Sequence, residues 1–144
     1  MDYDNPAVEK QWCSKCREQV QEYLRQQGVT HGQVGEWPAW HVAPHVSVWA
    51  IESKSNPGWV GWWAICGDLP TDYISAASVK HPRGVVAAIA NRWREAAEHM
   101  AQGKSPPDFS IGSPADRKAL APLLASRAEL LQSWAADPKL WSNL

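Results

Sequence analysis

Residues 46–66 read VSVWAIESKSNPGWVGWWAIC, and this stretch decides the fold. Val46 to Glu52 and Trp59 to Cys66 are rich in β-branched and aromatic residues and apolar at both alternating sets of positions. The intervening SKSNPG has the composition of a turn, so the two runs are expected to pair as a β-hairpin at the centre of a small sheet. Trp62 and Trp63 are adjacent, which sends them to opposite sides of a strand. Burying either contributes up to roughly 4–6 kcal/mol, from ~150–250 Å² at ~25 cal/mol/Å², so both faces of the hairpin need a cover.

Working upstream, Pro38 and Pro44 bracket Ala39 to Ala43, a short extended piece that fits only an edge strand. Before it lies an amphipathic helix. Asn5 is a good N-cap, Pro6 suits the first helical position and Gly28 marks the stop. Val8, Trp12, Cys16, Val20 and Leu24 recur at every fourth position, and Cys13 and Tyr23 widen the stripe.

Downstream, His81-Pro82 opens a second helix with a stripe of Val86, Ile89, Trp93, Ala97 and Met100, closed by Gly103. Ser113 and Asp116 make a capping box with Pro114 at the first helical position of a third helix. Leu120, Leu123, Leu124, Leu130, Leu131 and Trp134 are expected to line it, with Pro122 a kink or restart and Asp137-Pro138 the end. The fold class is therefore α+β in a single domain, 1–144: a long N-terminal helix over about 6–27, a short Trp-rich antiparallel sheet over about 37–67, and two C-terminal helices over about 82–102 and 114–136.

The chain is long enough to bury a core without disulfide or metal staples. Its 14 basic and 15 acidic residues give a net charge of −1, which supplies no field for nucleic acid or anionic lipid. The N-terminal MDYDNPAVEK lacks the basic and apolar regions of a signal peptide, and no run reaches the ~20 apolar residues of a membrane span. Three cysteines without framework spacing fit a reducing compartment, so the expected location is cytoplasmic.

Trp12-Cys13-Ser14-Lys15-Cys16 mimics the WCxxC redox motif. That chemistry places its first cysteine at a helix N-terminus, whereas here the pair lies two turns inside a helix, so Cys13 and Cys16 read as small buried hydrophobes. Zinc would require two more ligands; no second CxxC is present, and Pro44 interrupts the one HxxxH, His41 to His45, so neither a metal nor a cofactor is expected. Cys66 reads as an inert core thiol. His31, His41 and His45 flank the sheet with Glu36 and Glu52 near in sequence, the minimum for acid–base work, but Pro44 interrupts the strand between His41 and His45, so a shared face does not follow from their spacing. Gly67 to Tyr73 reads as a loop leaving a central strand, with two carboxylates, a hydroxyl and a phenol close together. The competing reading is a structural turn built by Asp68, Pro70 and Thr71, with Asp72 capping local N–H groups or pairing with Arg83. GxSxG, P-loop, GxGxxG and HExxH motifs are all absent.

The strings GEWPAWHVAPHVSVWAIES and GWWAICGDLPTDYIS, with Trp12-Cys13 upstream and the Pro82-Arg83 helix opening downstream, resemble the bacterial DUF4826 family, a domain of unknown function. The resemblance covers roughly Trp12 to Trp93 and implies a bacterial single-domain protein, with no activity to carry onto any residue; Cys16 is not part of the pattern.

Ten tryptophans stand against one phenylalanine, six of them between Trp37 and Trp63. This surplus, with no catalytic constellation, favours a non-enzymatic module that binds a protein partner or forms a homodimer through a Trp-rich surface. The alternative is a small-molecule-binding protein or enzyme. Its pocket would be walled by Trp37, Trp40 and Trp63, with His41, Asp68, Asp72 and Tyr73 as polar groups.

Overall fold

A computed structural model of the chain describes residues 2–104 and 116–142, which fall into two compact units, Met1–Val85 and Val86–Leu144. The α+β class read from the sequence is the class observed.

In the first unit, helix α1 runs Pro6–Gln26. The Asn5 side chain accepts from the Ala7 N–H at 2.9 Å, Pro6 occupies the first turn, and Gly28 with φ +69° lets the chain leave the helix. Four strands follow, β1 (Trp40–Val42), β2 (Val46–Glu52), β3 (Val60–Gly67) and β4 (Leu69–Ser75), forming an antiparallel meander in the order β1-β2-β3-β4. The expected central hairpin is β2–β3, and Ala39 to Ala43 supplies the expected edge strand β1.

The segment Gly67 to Tyr73 is not a loop. The chain reverses at Asp68, and Leu69–Ser75 pairs with β3 as the second edge of the sheet. Pro70 argues for a turn only if the strand is central; on an edge its missing N–H costs no ladder bond. The sheet therefore extends to Ser75, past the position expected from composition.

Registers fix the faces. Ser47, Trp49 and Ile51 of β2 share one face with Trp62, Ala64 and Cys66 of β3 and Tyr73 of β4. Helix α1 packs here, closing a core of Cys13, Cys16, Val20 and Leu24 against Val34, Trp49, Ile51, Ala64 and Cys66. Trp40, Val46, Val48, Trp63, Ile65 and Asp72 lie on the opposite face and are also buried. Trp62 and Trp63 do point to opposite sides: Trp62 meets Tyr73 edge-on, whereas the Trp63 indole donates to the Val79 carbonyl at 2.9 Å.

In the second unit most of helix α2 (Pro82–Ala101) presents Val86, Ile89, Trp93, Ala97 and Met100 as buried residues, the expected stripe. Helix α3 spans Arg117–Ala136, and a 3₁₀ turn follows over Pro138–Trp141. The stripe expected on α3 is corrected. Its buried residues are Ala121, Leu124, Ala128 and Leu131, while Leu123 and Leu130 are exposed. The alanines belong to the buried face at helical spacing, and a reading that counts leucines overlooks them. Ser113, Pro114 and most of the loop before them lie outside the described residues. No helix among the described residues is long and apolar enough to cross a membrane.

Candidate functional site

Three places on the first unit gather polar chemistry or exposed aromatic surface. The first sits where α1 crosses β1. His41 Nε2 lies 3.0 Å from Glu9 Oε2, and its ring is flanked by Trp12 at 6.3 Å and Trp37 at 5.3 Å between centroids. Glu9 is one turn N-terminal to Trp12 on the helix, which is why both reach the same histidine.

The second is a cluster of thiols and hydroxyls between α1 and the β3–β4 turn. The Trp49 indole donates to Ser47 Oγ at 2.9 Å, and Ser47 Oγ donates to the Cys66 carbonyl at 2.8 Å. The Cys66 thiol reaches Gln19 Oε1 at 2.8 Å, and Thr71 Oγ1 donates to Cys66 Sγ at 3.5 Å. Cys16 lies in the same core as Cys66. The neighbouring Cys16, with help from Thr71 and the Gly67 N–H, lowers the Cys66 thiol to about 7 against the opposing effect of burial. The Cys16 thiol is pushed the other way, chiefly by the neighbouring Cys66 and then by burial. Burial and the nearby Glu9 charge raise Cys13 to about 11. A cleft of about 310 Å³ opens beside Cys16, bordered by Trp12, Lys15, Gln19 and Asp68.

The third is the far end of the β2–β3 hairpin. Residues 32–35 run along β2 beyond β1, through Gly32 N–H to the Glu52 carbonyl at 2.8 Å and Gly35 N–H to the Ala50 carbonyl at 3.0 Å. Arg17 of α1 holds this segment by donating from Nε to the Gly35 carbonyl and from Nη2 to the Val34 carbonyl, both at 2.9 Å. Across from it the Ser53 N–H donates to the Trp59 carbonyl at 2.8 Å, fixing the backbone that carries the Trp59 side chain. Between them lies a cleft of about 320 Å³ that includes Val34, Glu36, Ala50, Glu52, Trp59 and Val60. The Glu52 carboxylate accepts from the Gly58 N–H at 3.0 Å and the Gln33 N–H at 3.2 Å, and these bonds hold its pKa below the usual carboxylate range.

The residues read from the sequence as one pocket divide among these places. Trp37 and His41 meet beside Glu9. Tyr73 lies on the α1 face between Tyr23 and Trp62. Trp40, Trp63 and Asp72 are buried on the opposite face, where Asp72 Oδ1 accepts from the Tyr73 N–H at 2.8 Å. Asp68 alone borders the cleft beside Cys16. The sequence reading missed Glu9, Trp12, Arg17 and the core that Cys16 shares with Cys66. The i, i+3 spacing of Glu9 and Trp12 was available as a signal, but the partner strand was not. Among the described residues no group of three or more His, Cys, Asp or Glu side chains is arranged to hold a metal ion.

The family model for the domain of unknown function DUF4826 matches residues 6–141, nearly the whole chain. No curated protein and no solved structure matches it. The chain belongs to the DUF4826 family.

Proposed function

We propose that this member of the family is a non-enzymatic binding module that engages a protein partner through the Trp59 end of its sheet. The observation that carries the reading is the exposure of Trp59, 68% accessible, beside Val60 at 41%. Leaving the largest apolar side chain in water on a rigid turn has no folding benefit, and covering it on binding contributes about 4 kcal/mol. Such an anchor at the centre of a standard interface is what dominates protein–protein affinity. Among the described residues, the cleft beneath the indole is bordered by Glu36 and Glu52 and by no Lys, Arg or His. A basic side chain of the partner, stacked on Trp59 with its charge toward these carboxylates, fits that chemistry.

Affinity capture with wild-type protein and with Trp59→Ala, quantified by mass spectrometry, tests the reading. A partner retained by the wild type and depleted at least about tenfold by the substitution supports it, since an anchor of ≥ 2 kcal/mol corresponds to more than that ratio. Identical captures overturn it. Light scattering on the same pair distinguishes a second copy of this chain from a foreign partner.

One observation favours a second reading. Asp68, a residue read from the sequence as a ligand group, borders a cleft that also holds Trp12 and Lys15. A small polar ligand there would raise the unfolding midpoint of the wild type and not of Asp68→Asn.

A further inference from the structure

Helix α1 and the sheet leave a cleft of about 310 Å³ where the helix passes the β1–β2 and β3–β4 turns. The sheet side of this cleft is one tied wall. The Asp68 N–H donates to the His45 carbonyl at 3.0 Å and the His45 N–H to the Val42 carbonyl at 2.7 Å, so the two turns that carry Pro44 and Asp68 hold each other. Gly67 completes the wall, and its lack of a Cβ is what lets the turns approach. The helix side carries Trp12, Lys15, Cys16 and Gln19. Cys16 is buried and Trp12 and Tyr3 are half-buried, while Lys15, Gln19 and Asp68 are exposed. The interior of the cleft is therefore apolar and aromatic, and its mouth is polar. Lys15 and Asp68 come from opposite walls, and among the described residues neither is in an ion pair. Gln19 Oε1 accepts from the Cys66 thiol at 2.8 Å, which holds the amide by its oxygen and leaves its nitrogen, with two donors, for another partner.

We propose that this cleft binds a free α-amino acid with an apolar side chain. The ammonium lies toward Asp68, the carboxylate toward Lys15 and the Gln19 amide, and the side chain against Trp12 and Tyr3. The proposal rests on the reading of Asp68 as a contact for a small polar ligand, and it names the class of that ligand. Three observations select it. One cation and one anion on facing walls match a ligand that carries both charges, whereas a simple carboxylate or a simple amine leaves one of them unused. A volume of about 310 Å³ lies at the low end of ligand sites, which suits a molecule of amino-acid size rather than a nucleotide or an oligosaccharide. Trp12, Tyr3 and Pro44 add no charge to the interior, so a charged side chain would be desolvated there without a partner.

The test titrates the intact chain by calorimetry with L-leucine and L-phenylalanine. The controls are their amides, which lack the carboxylate, and 4-methylpentanoate and 3-phenylpropanoate, which lack the ammonium. At least one of the two amino acids should bind about tenfold more tightly than its own single-charge analogues, because each charge-assisted contact contributes that much or more. Asp68→Asn should weaken the amino acid and its amide about tenfold and leave the ammonium-free analogue unchanged. Lys15→Gln should weaken the amino acid and the ammonium-free analogue and leave the amide unchanged. Both residues are exposed, so both variants should keep the urea midpoint of the wild type, which confirms that they fold. Amino acids that bind no more tightly than their analogues overturn the proposal, while the small-ligand reading of the cleft stands if Asp68→Asn or Lys15→Gln abolishes that binding. No binding of any of the six compounds up to about 10 mM, the weak end of measurable affinity, also overturns it. The small-ligand reading falls with it only if a wider panel of polar metabolites leaves the unfolding midpoint of the wild type unmoved.

Discussion

The indole N–H of Trp49 donates to Ser47 Oγ at 2.9 Å, two residues earlier on the same buried face of β2. Both residues are fully enclosed, and Ser47 passes its own proton to the Cys66 carbonyl on β3. The largest residue of the α1-facing core therefore depends on the smallest hydroxyl for the satisfaction of its polar atom. Ser47→Ala should lower the unfolding free energy by about 2–3 kcal/mol, because it leaves a buried donor without an acceptor. Urea denaturation followed by Trp fluorescence checks this. A loss below about 0.5 kcal/mol, the size of an ordinary surface change, would show that the indole finds another partner.

Arg17 is the clamp between α1 and the segment beside β2. Arg17→Met keeps most of the stem and removes both charge-assisted bonds, with an expected cost of about 1.5–3 kcal/mol. The effect should be local as well as global. Amide exchange at Gly35 and Glu52, whose N–H groups bond across this edge, should accelerate more than exchange at Val48 in the centre of the sheet.

Gly67 has φ +150° and faces the backbone of the β1–β2 turn. An added Cβ would press on the His45 carbonyl and come within 2.9 Å of Val46 Cα. Since neither contact is a flexible side-chain end, Gly67→Ala should cost about 3 kcal/mol, from strain plus displacement of packed backbone. Gly28→Ala makes the comparison: its φ is +69° and nothing lies within 4 Å of the new atom, so only the conformational cost of about 1 kcal/mol remains.

The Cys13 thiol, raised to about 11 from 9.0, sets a sign for alkaline stability. The unfolded chain ionises this group near 9.0 while the folded chain keeps it protonated, so stability should be undiminished below pH 9 and fall between pH 9 and 11. Cys66 acts oppositely in a lower window: with its folded pKa near 7, its contribution is lost as pH falls through 7 and grows toward pH 9. The pH dependence of stability in wild type and Cys13→Ala should therefore run parallel below pH 8 and separate above pH 9, with the variant losing less.

The parts of the fold that rest on local chemistry were legible in the sequence. Asn5, Pro6 and Gly28 bound α1 because capping depends on residues within a few positions, and SKSNPG marks the central hairpin for the same reason. Strand β4 was not legible, since Pro70, Asp68 and Asp72 are turn formers unless the strand is known to lie at an edge. Parity divides the residues read as one pocket. Trp40 and His41 are neighbours in β1, so a strand separates them onto opposite faces, and the same holds for Asp72 and Tyr73 in β4. The core shared by Cys16 and Cys66 joins residues far apart in sequence, and neither thiol carries a local signal of it.

The meander has a kinetic meaning. Every strand pairs with its neighbour in the chain through the short connections 43–45, 53–59 and 68, so each ladder closes over a small loop. The contacts of α1 span a much longer stretch, reaching from Cys13 and Cys16 to Ala64 and Cys66. Loop closure of that length is the slower event, which orders assembly as sheet first and helix afterwards. Substitutions within the β2–β3 hairpin then change chiefly the rate of folding, and substitutions on the buried stripe of α1 chiefly the rate of unfolding. The element that shields this face of the sheet from bulk water is the one that arrives last and departs first.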